Sequence, residues 1–266
     1  MNKTFEELCL RKSVRDFRDE PITEEEKRMI LEAALQAPTA GNMALYSIID
    51  VQDQELKERL AVLCDHQPFI AKAPMILIFL ADYQKWYDIF NEYTDDMPKL
   101  EESDFILAGQ DCTIAAHNAV VAAQSLGIGS CYIGDILENF EVHQELFRLP
   151  KYTVPYIMVV FGKPTQQQKD RMKPKRFELE DLVHIDYYHQ KDITETKSMF
   201  MKQSNKDEKA LEQYIQAFAK SMIPVNKSAF HICEYPPVKI HCEYCRSQKC
   251  LFSAMFQSVL NLFPIL

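Results

Sequence analysis

Arg11-Lys12-Ser13-Val14-Arg15 places three cations and a hydroxyl within five residues of a chain whose formal net charge is -9. Guanidinium groups match phosphate oxygens in a fork, and a serine hydroxyl adds a short directional donor. A second cluster, Lys173-Pro174-Lys175-Arg176, lies far along the chain, and its proline restrains the flanking lysines. Either cluster alone has the composition of a solvated basic loop. Two distant cation clusters can also converge on one phosphate and leave the remaining surface acidic. Ala37-Pro38-Thr39-Ala40-Gly41-Asn42-Met43 carries donors and acceptors at Thr39 and Asn42, with Gly41 allowing a close backbone approach. An ordinary helix-to-strand turn would read the same way. Residues 127–135, Gly-Ile-Gly-Ser-Cys-Tyr-Ile-Gly-Asp, hold three of the chain's six glycines. They suit either a bulged strand or main chain laid against a flat ring.

The elements that must carry these segments follow from periodicity and punctuation. Thr4 with Glu7 and Thr23 with Glu26 both fit the capping box. The second opens a helix in which Met29, Ile30, Ala33 and Ala34 recur at helical spacing and which ends before Pro38. The basic cluster therefore falls at the end of one helix and before another. Residues 46–51 read as a strand, 54–64 as an amphipathic helix, and 74–80 as a strand buried on both faces. Residues 82–104 mix Trp86, Tyr87, Phe90 and Tyr93 with Asp88, Asp95 and Asp96, as in a helical excursion or lid. Its aromatics suit stacking over a substrate ring or packing on a partner subunit. Residues 105–126 form a long helix with Ala108, Ala115, Ala119, Ala122 and Ala123 on one side, stopping at Gly127. A short helix at 138–147 leads to a strand at 154–161. Few strands alternating with helices give an α+β class, with helices packed over a small sheet.

Composition excludes several functions. A pI near 5.3 speaks against a general nucleic-acid binder, which needs a basic face. The start of the chain lacks a secretory pattern, and no apolar run reaches membrane-span length. The expected compartment is the cytoplasm, with no membrane and no nucleic-acid partner. Cys9, Cys64, Cys112 and Cys131 are scattered singly and read as small buried hydrophobes. No G-x-G-x-x-G after a strand and no Walker motif is present. His66, His117 and His143 read as satisfied structural histidines.

The ordered set Arg11–Arg15, Pro38–Asn42, the alanine-rich helix with residues 126–134, and Lys173–Arg176 resembles the nitroreductase family of flavin oxidoreductases, over about residues 3–190. The resemblance implies a nitroreductase-like fold, with a small, mostly antiparallel central sheet flanked by helices. It further implies a homodimer with FMN at two sites built from both subunits. By position, Arg11, Ser13 and Arg15 would hold the phosphate and ribityl chain, joined by Lys173 and Lys175. Lys12 falls at the motif's variable position. Asn42 would address the pyrimidine edge from the partner subunit, and the backbone of Tyr132, Ile133 and Gly134 would lie over the ring near N5. Such an enzyme takes electrons from NAD(P)H and passes them by a ping-pong route to a nitroaromatic, quinone or other small aromatic acceptor. The flavin carries the chemistry, so no acid–base dyad or metal is required. Enone or dehalogenation chemistry is a variant within the class, and a non-catalytic flavin- or metal-binding protein is an alternative outside it.

The expected division is an FMN-binding domain over residues 1–190 and a C-terminal helical extension over 191–266. In the latter, Leu211, Tyr214, Ile215 and Phe218 share a helical face, and Phe252 to Phe263 repeat at helical spacing. Cys233, Cys242, Cys245 and Cys250 with His231 and His241 could hold zinc or be incidental to a diverged tail.

Overall fold

A computed structural model describes residues 2–95 and 100–225. They fall into two compact units, residues 2–172 and residues 173–225. The cysteine and histidine cluster and the 252–263 repeat lie outside the described residues.

The first unit opens with α1 (Lys3–Leu10). Its N-cap is Asn2, whose Oδ1 accepts from the amides of Thr4 at 2.9 Å and Phe5 at 3.4 Å. The Thr4–Glu7 capping box is therefore not used. Asn is the stronger cap and stands one residue before the first helical turn. In α2 (Glu24–Leu35) the expected box forms in full, with Thr23 and Glu26 exchanging bonds at 3.1 and 2.7 Å.

The sheet contains β1 (Tyr46–Asp50), β2 (Met75–Asp82), β3 (Gly129–Ile133) and β4 (Thr153–Gly162), in the order β1-β2-β4-β3, and every pair is antiparallel. A continuous apolar run usually marks a parallel strand, yet β2 is antiparallel and buried at all eight positions. Helices on both faces explain the run. Met75, Leu77, Phe79 and Ala81 point into one core with α2 and α6 (Glu102–Ser125). Ile76, Ile78 and Leu80 point into a second core with α3 (Gln54–Leu63) and α4 (Pro68–Ala71). The strand period of two thus distributes one segment between two cores. Cys64, Cys112 and Cys131 are buried as expected, whereas Cys9 is exposed because α1 buries none of its residues.

Three further helices complete this unit: α5 (Gln84–Tyr93), α7 (Phe140–Leu146) and α8 (Gln166–Asp170). Helix α6 ends in a Schellman motif. Gly127 at φ 73° donates to Gln124 O at 3.0 Å, and Ile128 donates to Ala123 O at 2.9 Å. That closure turns the chain directly into β3. The second unit contains α9 (Leu179–Leu182), α10 (Ile193–Ser204) and α11 (Glu208–Val225). Asp192 caps α10 with a capping box, and left-handed Asn205 ends it. Lys197 Nζ reaches Glu208 at 2.6 Å, tying α10 to α11. Among the described residues no helix is long and apolar enough to cross a membrane.

The basic segment is positioned by a close approach to β3. Val14 donates to Ser130 O at 2.9 Å, and Ser13 and Ser130 form an isolated parallel bridge. A Cβ added at Gly129 would fall 2.5–2.9 Å from the Val14 side chain, inside any tolerated contact. Gly129→Ala is expected to push residues 13–15 off the strand and cost roughly 1–3 kcal/mol, the usual range for overpacking. Denaturant unfolding checks this, and a midpoint equal to wild type would contradict it.

Candidate functional site

Strand β3 is an edge strand. It pairs with β4 on one side, and among the described residues only the Ser13–Ser130 bridge touches its other side. Beyond Ser130 the outer main chain of Cys131, Tyr132 and Ile133 is left without a ladder partner, and Gly134, which begins a 3-10 turn (Gly134–Leu137), is exposed. An open edge offers backbone donors and acceptors to a ligand.

The basic segment borders this edge. The Arg11 guanidinium lies over the Tyr132 ring, 5.8 Å from its centroid. Burial raises the pKa of the Cys131 thiol, while the charge of Arg15 and the Ser13 side chain beside it oppose the rise. Arg11, Ser13, Arg15 and Tyr132 are thus brought together around β3. Tyr132 is held by His117, whose Nδ1 lies 3.3 Å from the phenol oxygen, and burial pushes the phenol up to about 12. It is a neutral hydroxyl under ordinary conditions.

Lys12 turns the other way. Its Nζ donates to Lys169 O at 2.7 Å and to Arg171 O, tying the segment to the end of α8. Arg171, in turn, donates from Nη2 to Ser13 O. These crossed bonds, with the isolated Phe17–Pro164 bridge and Arg18 donating to Lys163 O at 2.8 Å, fix the basic segment alongside β3 and the end of β4.

Asn42 stands on a 3-10 turn (Ala40–Asn42), with Gly41 at φ 56° and Asn42 itself at φ 57°, and its side chain is exposed. The turn is anchored from α6. Asp111, 2% exposed, accepts from the amide of Ala40 at 3.0 Å and from that of Leu45 at 3.0 Å. Thr39 Oγ1 accepts from Ala44 at 3.1 Å, and Trp86 Nε1 donates to Met43 O at 2.7 Å. The aromatic segment is therefore fastened to this turn through Trp86. Tyr93 at its far end is 82% exposed. Lys173 and Lys175 belong to the second unit, where Lys175 Nζ pairs with Glu178 at 3.1 Å.

The donor set fits a monophosphate. Among the described residues the buried Arg11 Nη1 meets no acceptor. A buried guanidinium N–H without a partner is costly, and an anion supplies the missing acceptor. Glu7 Oε2, one helical turn earlier, is also unmatched, and the Arg11 side chain leans on Tyr132 rather than bonding to it.

A family model described as the nitroreductase family matches residues 10–163. The chain belongs to the nitroreductase family. It is 32% identical over 194 residues to an FMN reductase [NAD(P)H] of Bacillus subtilis, covering 72% of this chain and 77% of that one. It is 34% identical over 188 residues to an oxygen-insensitive NADPH nitroreductase of Salmonella typhimurium, covering 71% and 75%. Among solved structures, the NADPH:FMN oxidoreductase from Vibrio harveyi complexed with NAD+ is similar at 26% identity and a TM-score of 0.73, covering 88% and 96%. The nitroreductase fold and its antiparallel sheet are as the resemblance implied.

Several residues of this nitroreductase family member were not singled out in the sequence. Asp111 had a legible signal, a lone carboxylate among the apolar positions Ala108, Cys112 and Ala115 of one helix face. Gln67, Asp135 and Glu138 had none. Gln67 Nε2 donates to Cys64 O at 2.9 Å and to Asp135 Oδ2 at 2.8 Å, joining the end of α3 to the turn after β3. His143 is fully buried on α7 with the backbone of Ile136 and Glu138 beside its ring, and burial lowers its pKa so that the ring is neutral. Among the described residues no cluster of His, Cys, Asp or Glu is arranged to hold a metal.

Glu138 is pushed up to about 7, first by burial and then by the charges of Asp135 and Asp65. An acid whose pKa is higher folded than unfolded holds its proton more tightly when folded. Stability therefore falls as pH rises from about 4.5 to about 7 and stays lower above that. The side chain is partly open to solvent, which screens the effect to about 1 kcal/mol. Glu138→Gln is expected to match wild type at the acid end and to exceed it by that amount above neutrality, as read from thermal unfolding at two pH values. Parallel pH profiles for the two proteins would contradict this.

Proposed function

We propose that this protein is an FMN-dependent oxidoreductase that takes electrons from NAD(P)H and delivers them, in alternation at one site, to a nitroaromatic, quinone or related small acceptor. The observation that carries this is the convergence of Arg11, Ser13 and Arg15 on the open edge of β3, with a buried Arg11 N–H lacking an acceptor. Relatives named FMN reductase and NADPH nitroreductase support the same pair of cofactors. When bound, FMN supplies two-electron chemistry between a nicotinamide and an acceptor.

The protein's own groups bind, orient and polarise. Arg11, Ser13 and Arg15 would hold the phosphate of a bound FMN through charge-assisted bonds. Lys12 holds the segment in place from behind through the carbonyls of Lys169 and Arg171. The resemblance assigns Lys173 and Lys175 to the same phosphate, and weaker FMN retention in Lys173→Ala is the outcome that supports it. The main chain of Tyr132, Ile133 and Gly134 would present fixed dipoles to a bound flavin, with no need to reorganise. Asn42, exposed on its anchored turn, is available to a second copy of the chain, and in this reading the active species is a homodimer. Initial-rate kinetics with NADPH and a quinone test the alternation. Parallel double-reciprocal lines are expected, and intersecting lines would contradict a ping-pong route.

A further inference from the structure

Behind the Gly134 turn stands an acidic group that the proposed reaction does not use. Asp135 immediately follows Gly134, and Glu138 lies one short turn further on. Asp65 stands in the loop after α3, and its charge is among those that raise the Glu138 pKa. The other titratable groups here are Cys64, at the end of α3, and His143, on α7. The Cys64 thiol is pushed up to about 12 by burial and by Asp135 and Glu138, so it is neutral. The His143 ring is neutral as well. From β4, Met158 and Val160 pack in the same cluster as Ile136 of the turn. No cation is among the charges that act on Glu138.

The loops that bring these carboxylates together are held in costly conformations. Asp65, His66 and Asn139 all have positive φ, at 58°, 51° and 43°. Non-glycine residues adopt that region only when their surroundings enforce it. Two side-chain bonds do so here. Gln67 ties Cys64 O to Asp135, and Asn139 Nδ2 donates to Leu63 O at 2.9 Å. The acidic group is thus a built feature, locked against the segment whose main chain the proposed function gives to the cofactor.

Negative charge fixed beside a group that must accept electrons disfavours the reduced form, the reverse of the effect of backbone N–H dipoles. We propose that Asp135 and Glu138 set the reduction potential of the bound flavin, holding it lower than the same fold would without them and making it fall more steeply with pH near neutrality. This rests on the FMN reading above. Asp135 contributes its charge beside the turn, with Gln67 fixing where that charge lies. Glu138 contributes a charge that is gained as pH rises and lost as it falls.

The test is a dye-equilibrated redox titration of the FMN-loaded protein between about pH 6 and pH 9, for wild type, Asp135→Asn and Glu138→Gln. Asp135→Asn keeps the oxygen that accepts from Gln67, and Glu138→Gln mimics the protonated acid. Asp135→Asn is expected to raise the potential across the range by about 30 mV, equivalent to tenfold in a two-electron equilibrium. Glu138→Gln is expected to raise it by a similar amount at the alkaline end and to rejoin wild type at the acid end. If both variants bind FMN and their potentials superimpose on wild type, this inference falls and the FMN reading stands. If the wild-type protein takes up no FMN, both fall.

Discussion

Replacing Asp111 with alanine is expected to cost about 3 kcal/mol of folding stability and to abolish flavin retention, although Asp111 touches no proposed cofactor ligand. Its two carboxylate oxygens accept from the amides of Ala40 and Leu45, one on either side of the Gly41–Asn42 turn. Hydrogen bonds to a buried charge contribute about 1.5–3 kcal/mol each, and their loss leaves two amides without partners. Relief of the carboxylate's own burial returns part of that. Against a total of about 5–15 kcal/mol, the loss is large. The turn would then be free to drift from the position that Trp86 and Thr39 only partly fix. Asp111→Asn keeps one acceptor and turns an NH2 group toward the second amide, so an intermediate loss of about 2 kcal/mol is expected. Urea unfolding of the three proteins checks the order. An alanine variant as stable as wild type would show that the turn holds itself.

Arg11→Ala and Arg15→Ala should each weaken FMN binding roughly 10- to 100-fold, the equivalent of one charge-assisted bond at 1.4 kcal/mol per factor of ten. Their effect on folding should be small by comparison. Arg11 lies over the Tyr132 ring and has an unmatched buried N–H. Removing it takes away a desolvated N–H that no acceptor among the described residues satisfies. Arg15→Ala removes a charge that acts on the Cys131 thiol. Lys12→Ala provides the contrast. Lys12 Nζ is engaged with the carbonyls at the end of α8, so the variant should lose stability while changing FMN affinity less than either arginine does. Fluorescence titration of FMN into the apoprotein reads the affinities. Equal affinities in all three variants would detach the basic segment from the phosphate.

Much of the fold was legible because local rules and packing agree. The Thr23–Glu26 box, the apolar run of β2 and the Gly127 stop each formed where the pattern placed them. The start of α1 was misplaced because two candidate caps stand two residues apart, and only the stronger is used. The start of the long helix was also set late, since Glu101 and Asp104 form a capping box of acidic residues ahead of the apolar period. Within the candidate site, Arg11, Ser13, Arg15 and the glycines around β3 stood out as short runs of distinctive chemistry, and they border one strand in the structure. Contacts between residues distant in sequence were not. Lys12 looks like a phosphate cation until its partners at Lys169 and Arg171 are seen, 157 and 159 residues away. Gln67 and Asp135 are 68 residues apart, and nothing in either neighbourhood announces the bond between them. The two carboxylates that raise the Glu138 pKa likewise meet only through the strained loops at Asp65 and Asn139.

The most direct measurement is the visible absorption spectrum of the purified protein, followed by identification of the nucleotide released on heating and by anaerobic addition of NADPH. A yellow protein carrying one FMN per chain is expected, with a visible band that bleaches on stoichiometric NADPH and returns when a quinone is added. A colourless protein that fails to take up FMN would contradict it, as would a bound flavin whose band NADPH leaves unchanged.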